Sequence, residues 1–195
     1  MDEIAGRKKA DPLAYRLAML KDDPRAAAVL QRAAAMANYS AKRDNGRAVG
    51  IAYSNALRSH TAVAAEVSVD ADSGEIMVHH LWAAVDPGRV VQPKNVVAQM
   101  KSAMVFGLGA ALKERLAIKG GVMQATNFDG YPVLRMSEIP PMDVAVISTE
   151  DHPTGIGEAG VPAVAPAIAN AVAILTGKRL RHLPMTPERV KQSLG

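Results

Sequence analysis

The chain contains no cysteine, and this absence excludes several kinds of site within it. Without thiols the chain has no disulfide framework, no thiolate zinc site and no cysteine-ligated iron–sulfur cluster of its own. Aromatic side chains are also scarce, with two Phe, four Tyr and one Trp among 195 residues. No apolar run approaches the roughly 18 uninterrupted residues of a membrane span, so we expect none. The segment Met1–Lys9 has no apolar core, and we expect no secretory signal there.

The overall composition is that of a globular protein. Hydrophobic residues make up 49% of the chain and charged residues 22%, which argues against wholesale disorder and suffices for one substantial domain or two small ones. The net charge is +4, but the basic residues near the N-terminus are interleaved with acidic ones. No basic stripe is interleaved with the few aromatics. Solvated faces, or a docking surface for an acidic partner, explain these charges more simply than a nucleic-acid partner, which we do not expect.

Two hydrophobic periods divide the chain. Apolar residues recur at helical spacing before position 38, which predicts a helical lead-in over residues 1–45. From Gly46 the alternation is typical of strands, with the return strand of a hairpin over Glu75–Asp86. We predict an α+β fold of hairpins and a mixed sheet packed with a long helix. The other predicted elements are a helix from about Lys94 to Ala117, a hairpin at Gly120–Gly121, a strand over Met142–Ser148, a helix over Val161–Gly177, a strand over Arg179–Leu183 and a terminal helix capped by Thr186.

The segment Gly155–Pro162, which reads Gly-Ile-Gly-Glu-Ala-Gly-Val-Pro, carries the most functional information. It places Glu158 between glycines, directly before an apolar helix. Glycines allow a sharp turn and the close approach of a large group, and free N–H groups at a helix start favour an anionic carboxylate. A carboxylate held in this way suits a general base. The alternative is a surface turn in which Glu158 only complements the helix dipole, because one glycine-flanked Glu is a weak motif.

Gln99 is the second candidate, on the flank of the apolar stripe of the predicted long helix. Its amide both donates and accepts hydrogen bonds, which suits recognition of the polar edge of a heterocycle. The small Ser102, one turn later, leaves space beside it. The alternative is an ordinary, partly exposed helical glutamine. His79 and His80 are neighbours on a predicted strand and face opposite sides of it, so we do not expect them to form a metal-ligand pair.

Five motifs, taken together and in order, resemble one family. Their order is similar to that in the C-terminal part of the molybdopterin-binding large subunit of the xanthine dehydrogenase/aldehyde oxidase family. Tyr131–Pro140 and Glu158–Pro184 are most similar to the isoquinoline 1-oxidoreductase beta-subunit-like branch, and the resemblance covers nearly the whole chain. The motifs are Val85–Pro93 with Asp86 and Gly88, Gln99, Phe106–Gly109, Asn127–Pro132, and Gly155–Glu158.

The resemblance implies the second molybdopterin-binding domain of an oxidoreductase that hydroxylates an aldehyde or N-heterocycle carbon with water-derived oxygen. It implies that Glu158 is the general base and that Gln99, Ser102, Gly155 and Gly157 contact the cofactor. That cofactor is molybdopterin, with the cytosine dinucleotide form as one alternative. Because the metal is held by the cofactor's own dithiolene sulfurs, the chain needs no metal ligand, and a chain without cysteine can serve such a site. The iron–sulfur clusters then belong to a partner subunit.

The chain also departs from the family. Ser102 stands where the family often has Gly, and most of the large subunit is missing from these 195 residues. The resemblance therefore implies an N-terminal molybdopterin-binding half or subunit as partner, together with a small [2Fe–2S] subunit and a small-molecule substrate. A split subunit and a truncated gene product are both compatible with this sequence. So is a catalytically inactive assembly or binding domain that has kept the fold.

One expectation concerns the purified chain. A cofactor clamped between two halves is not retained by one of them, so the 195-residue chain alone should lack both molybdenum and activity. Elemental analysis and a dye-linked oxidation assay of the purified chain measure these two properties. Stoichiometric molybdenum together with turnover would contradict the expectation.

Overall fold

A four-stranded sheet with helices on both faces forms the body of the protein. The computed structural model describes residues 1–43 and 45–195, so Asp44 of the predicted lead-in lies outside the described residues. This mixed arrangement of hairpins, sheet and long helix confirms the predicted fold class. The helices are α1 (Asp2–Arg7), α2 (Pro12–Met19), α3 (Pro24–Met36), α4 (Pro93–Leu112), α5 (Val164–Thr176) and α6 (Pro187–Leu194). The strands are β1 (Arg47–Ala56), β2 (Ser59–Val69), β3 (Ile76–Asp86), β4 (Ile118–Lys119), β5 (Val122–Met123) and β6 (Met142–Val146).

The main sheet has the strand order β1-β2-β3-β6. The first three strands form an antiparallel meander. β6 joins the edge of β3 in parallel, with Leu81 paired to Met142 and Val85 paired to Val146. The chain reaches β6 through a crossover that contains α4, because parallel neighbours cannot be joined by a tight turn. β4 and β5 form a separate small hairpin at Gly120–Gly121, as predicted.

The lead-in helices begin at residues suited to that position. The carboxylate of Asp11 accepts a hydrogen bond from the amide of Ala14 at 2.8 Å, and that of Asp23 accepts one from Ala26 at 3.0 Å. A proline follows each Asp at the first helical position, where its missing N–H is no loss. α2 and α3 are thus separate helices, with the break between them just before Pro24. No helix among residues 1–43 and 45–195 combines the length and apolar character needed to cross a bilayer.

Alternation along β1 directs its side chains into two separate cores. Val49 and Ile51 face α3, whereas Ala48 and Ala52 face α4 and α5. Gly50 lies on the α5 side, and a Cβ atom placed on it would lie 2.1 Å from the carbonyl oxygen of Ala167. The backbones of β1 and α5 therefore touch at this point, which only glycine allows.

Some of the predicted elements differ from the structure. α4 ends at Leu112 and not near Ala117, because the chain turns back so that the Glu114 carboxylate lies over Gly109 and accepts the hydroxyl of Tyr131 at 2.8 Å. The predicted strand over Arg179–Leu183 is wrong. Its alternating side chains serve other contacts: Arg179 donates to Asn170, and Arg181 pairs with Glu3. Thr186 precedes α6 as predicted, but its side chain makes no capping hydrogen bond.

The close approach at Gly50 gives a stability prediction. Gly50→Ala should lower the free energy of unfolding by about 3 kcal/mol or more, at the upper end of overpacking costs, because the added methyl meets backbone atoms that cannot rotate away. Chemical denaturation with circular dichroism measures this change.

The control is Gly6→Ala in α1, the same substitution at a position where a Cβ meets no atom within 4 Å. It should leave stability unchanged or raise it by up to about 1 kcal/mol, since Ala favours helices. Equal stability of the two variants would contradict the close packing at Gly50.

Candidate functional site

The turn that carries Glu158 is held to the body of the protein at its first residue, Gly155. The amide of Gly155 donates to the carbonyl of Leu57 at 3.2 Å, and its carbonyl accepts the hydroxyl of Ser59 at 2.6 Å. A Cβ atom on Gly155 would lie only 2.8 Å from the Cβ of Leu57. Leu57 and Arg58 form the two-residue β1–β2 turn with φ of 55° and 65°, the conformation that a type I′ hairpin requires. The glycine therefore lets the turn lie against this hairpin.

The other end of the turn rests on α4. A Cβ atom placed on Gly160 would lie 3.0 Å from the Cβ of Ala103 and 3.1 Å from the Cε of Met100. Ala159, the residue before it, is fully buried. The segment thus contacts α4 at Gly160 and the β1–β2 hairpin at Gly155. Two different elements fix the short stretch on which Glu158 lies.

Glu158 itself is exposed, and so is Gly157. Among the described residues, nothing lies within 4 Å of a Cβ atom placed on Gly157. Contacts inside the chain explain why position 155 needs a glycine, whereas no such contact explains the glycine at position 157. Backbone and carboxylate here face open space that a group from outside this chain could fill.

The predicted helix start at Val161, directly after the glycine turn that carries Glu158, is wrong. α5 begins at Val164, six positions after Glu158, with Ala163 at its N-cap. Pro162 disfavours a helical conformation at Val161, and the amide of Val164 bonds the carbonyl of Val161 at 3.3 Å in a tight turn before the helix. The backbone carbonyl of Glu158 accepts the amide of Val161 at 3.0 Å.

Gln99 lies beside the same turn. It lines an open pocket of about 250 Å³ together with Asn95 of α4 and with Thr154 and Ile156, which flank Gly155. The structure therefore brings Gln99 next to the residues that flank Gly155, although 56 positions separate Gln99 from Gly155 in the chain. Ser102 lies one turn further along α4 and is exposed.

An ion pair between the partly exposed Arg25 and the buried Asp86 lies at the base of the site. Arg25 of α3 donates from Nε and Nη2 to the two carboxylate oxygens of Asp86, each at 2.8 Å. Asp86, at the end of β3, is only 1% exposed, and it also accepts the amide of Gly88 at 2.9 Å. Burial alone acts to raise the pKa of Asp86, but the hydrogen bonds from Arg25 and Gly88 outweigh it and hold that pKa below its ordinary value.

The turn after Asp86 supports the segment that leads to Glu158. A Cβ atom on Gly88, whose φ is +79°, would lie 2.3 Å from the carbonyl oxygen of His152. The amide of Thr154 donates to the carbonyl of Pro87 at 2.8 Å, and the Thr154 hydroxyl lies 2.6 Å from that of the fully buried Ser59. Sequence reasoning assigned no role to Arg25, Ser59 or Thr154. Asp86 and Gly88 belong to the Val85–Pro93 motif of the family resemblance, and that motif is the only sequence feature that pointed to this turn.

The two neighbouring histidines do not act together. Nε2 of His79 lies 2.8 Å from the hydroxyl of Ser68, whereas Nε2 of His80 lies 2.8 Å from the carboxylate of Asp143. The ring of His80 also stacks on Trp82, with the centroids 4.1 Å apart. Their separate partners agree with the alternation expected along a strand.

Residues 13–140 match the model of the molybdopterin cofactor-binding domain family. The chain belongs to this family. The match includes α4 with Gln99 and the Asp86 turn, and it confirms the resemblance found in the sequence.

Curated relatives of this molybdopterin-binding domain are subunits of oxidoreductases. The chain is 42% identical over 190 residues to the isoquinoline 1-oxidoreductase beta subunit of Brevundimonas diminuta, in an alignment that covers 96% of this chain and 24% of that relative. It is 36% identical over 137 residues to the molybdenum-binding subunit of an aldehyde oxidoreductase of Escherichia coli, covering 66% of this chain and 19% of that relative. The matched region thus spans a quarter or less of the length of these relatives.

Solved structures share the fold of the domain. Quinoline 2-oxidoreductase from Pseudomonas putida aligns with a TM-score of 0.65 at 22% identity, covering 70% of this chain and 18% of that chain. The aldehyde oxidoreductase of Desulfovibrio desulfuricans aligns with a TM-score of 0.63 at 24% identity, covering 70% and 16%.

The residues present in this molybdopterin-binding domain are compatible with such a cofactor on one side. The amide of Gln99 is exposed in a pocket beside the glycine turn, and Gly157 presents backbone without a covering side chain. Both are open to solvent in this chain. Gln99 and Gly157 thus line one side of a site whose other side is open.

The ion pair between Arg25 and Asp86 gives a second stability prediction. Arg25→Ala leaves the Asp86 carboxylate buried without its partner and should lower the free energy of unfolding by about 3–5 kcal/mol at pH 7. Because the pKa of Asp86 is lowered in the folded chain, its contribution is complete above its ordinary pKa of about 4 and is lost as the pH falls through the folded-state value. The difference between variant and parent should therefore shrink below about pH 4.

Arg181→Ala provides the matched control, since it removes an arginine from an exposed pair with Glu3. Urea unfolding at several pH values compares the three proteins. A similar, small effect of both substitutions would show that the Arg25 pair has no special structural role.

Proposed function

We propose that this chain is one part of a molybdenum-cofactor oxidoreductase in which Glu158 is the general base. The observation that carries the proposal is the glycine turn, fixed at both ends and open above Gly157, which lies beside Gln99 of the molybdopterin-binding domain matched over residues 13–140. The reaction is the hydroxylation of an aldehyde or N-heterocycle carbon with oxygen derived from water. When bound, the cofactor would supply the acceptor for the hydrogen of the substrate carbon together with the two electrons of its bond.

Glu158 accepts the proton that water loses as its oxygen becomes bonded to the substrate carbon. A general base must lie within hydrogen-bond reach of that proton. The contacts of Gly155 with Leu57 and Ser59, and of Gly160 with α4, hold the backbone on both sides of Glu158. This restricts the positions that its carboxylate can take. Closure of the open face by a second surface would exclude bulk water from the carboxylate.

Gln99, Ser102, Gly155 and Gly157 contact the cofactor in this proposal. Gln99 offers an amide that donates and accepts at once, which matches the mixed polar edge of a pterin. Gly157 offers backbone that a large group can approach closely. Gly155 shapes the turn, and Ser102 adds a small hydroxyl on the same helix as Gln99. The cofactor is molybdopterin, in its plain or its cytosine dinucleotide form.

The partners follow from the one-sided site. A second molybdopterin-binding half, on a separate chain or on an adjoining part of the same polypeptide, completes the enclosure. Because this chain has no cysteine, iron–sulfur clusters that carry the electrons onward belong to a small [2Fe–2S] partner subunit. The substrate is a small molecule.

Glu158→Gln tests the proposal in the assembled complex with the remainder of the large subunit and the iron–sulfur subunit. The amide keeps the shape of the carboxylate but cannot take a proton, so kcat should fall by about 10²–10⁴-fold. Molybdenum content, measured by elemental analysis, should stay equal to that of the parent complex. Dye-linked turnover gives kcat and KM separately.

The matched control is Glu150→Gln, the same change at an exposed carboxylate. Glu150 lies in the segment before the glycine turn and pairs with Arg89. It should leave kcat unchanged. Undiminished turnover of the Glu158→Gln complex would refute the base assignment and favour an assembly or binding role for this domain.

A further inference from the structure

The second half of α4 and the segment after it expose a concentration of large apolar side chains. Of the sixteen large hydrophobic residues that are exposed in the described chain, half lie between positions 106 and 136. Both phenylalanines of the protein are among them, and Phe128 is 95% exposed. The full set is Phe106, Leu116, Ile118, Val122, Met123, Phe128, Val133 and Met136.

Four of these residues share one surface, which we call the hairpin face: Leu116, Ile118, Met123 and Phe128. Leu116, Met123 and Phe128 line a common open groove of about 400 Å³, whose other lining residues are Ala125, Thr126, Asn127 and Tyr131. Ile118 is the direct cross-strand partner of Met123, and partners on neighbouring strands point to the same side. The face is therefore a contiguous apolar surface and not a set of scattered residues, which distinguishes it from ordinary surface composition.

The backbone beneath the hairpin face is held in place by polar contacts. The hydroxyl of Tyr131 donates to the carboxylate of Glu114 at 2.8 Å, a bond that raises the pKa of the phenol. Glu138 pairs with Lys113 at the end of α4 and accepts the amide of Arg135 at 2.7 Å. These bonds link both ends of the segment to the main body. The apolar side chains are thus presented outward on an ordered support.

The unmatched part of the relatives is the occupant that we consider for this surface. The alignment with the isoquinoline 1-oxidoreductase beta subunit of Brevundimonas diminuta covers 96% of this chain but only 24% of that relative. About three quarters of a relative of that kind consists of polypeptide that this chain does not contain. A domain cut from a larger core exposes apolar side chains where the rest of the core packed.

We propose that the hairpin face is the docking surface for the remaining, cofactor-binding part of the large subunit. This inference rests on the proposed function, since it concerns the partner that completes the same site. Docking buries Phe128 and Met123 as the anchors of the interface, in the way that a few buried aromatic and Met side chains dominate association. The polar contacts of Tyr131 and Glu138 hold the hairpin in its docking position beforehand.

The test uses the full 195-residue chain and a defined probe. The probe is the Brevundimonas diminuta protein with the stretch that aligns with this chain deleted, expressed separately. Binding is measured by calorimetry or surface plasmon resonance. The double variant Met123→Ser/Phe128→Ser should weaken binding at least tenfold. Hydrogen exchange of the parent chain should show protection over residues 116–131 when the probe is bound.

The matched control is Met19→Ser/Ile174→Ser, which removes two exposed apolar side chains from α2 and α5. It should bind like the parent. Thermal melting confirms that both double variants fold, which is expected because all four side chains are exposed.

Three outcomes would overturn the docking proposal. They are the absence of binding by the parent chain, equal affinities of the two double variants, and self-association of the parent that is abolished by Met123→Ser/Phe128→Ser. Equal affinities with intact complex formation would leave the role of Glu158 standing, because that role is tested by turnover in the assembled complex.

Discussion

The ion pair between Arg25 and Asp86 is the interaction on which the position of the candidate site depends. It links α3, which covers one face of the sheet, to the end of β3. The same carboxylate accepts the amide of Gly88, so it also orders the turn that leaves the strand. The carbonyls of that turn then bond the segment before Glu158, as in the amide of Thr154 on Pro87. One charge pair thus connects the helical lead-in, the strand end and the loop. A buried carboxylate without its partner carries a large cost, so loss of Arg25 would weaken the connection among these three parts.

The candidate site has two parts, a backbone turn that the chain itself holds in place and an open space above that turn. The backbone around Glu158 is prepared within the chain, because Gly155 lies on the β1–β2 hairpin and Gly160 lies on α4. The space above Gly157 is open. The same division recurs at the hairpin face, where polar bonds hold the support and apolar side chains face outward. Ordered support with an open upper surface is what the proposed shared site requires from each of its halves, since association costs less when neither partner has to reorganise.

Local patterns in the sequence predicted most of the fold. The helical spacing of apolar residues before position 38, the alternation along the meander and the left-handed Gly177 that ends α5 all act over a few residues. Contacts between distant residues could not be predicted in this way. The end of α4 depends on Tyr131, and the alternation of residues 179–183 serves contacts with α1 and α5 and not a sheet edge. The site shows the same limit. The glycine turn and Gln99 stood out as motifs, but Arg25 and Ser59 act on partners 61 and 95 positions away and leave no local signal.

The contact of Gly50 with α5 has a consequence for how this domain can evolve. Main-chain atoms of strand and helix meet there without a side chain between them. Their separation is therefore set by excluded volume of the backbone, and it does not change when core side chains are exchanged for larger or smaller ones. The turn with Glu158 leads directly into this helix. Core residues on either side of the sheet can accordingly change in evolution while the distance between that turn and the sheet stays constant.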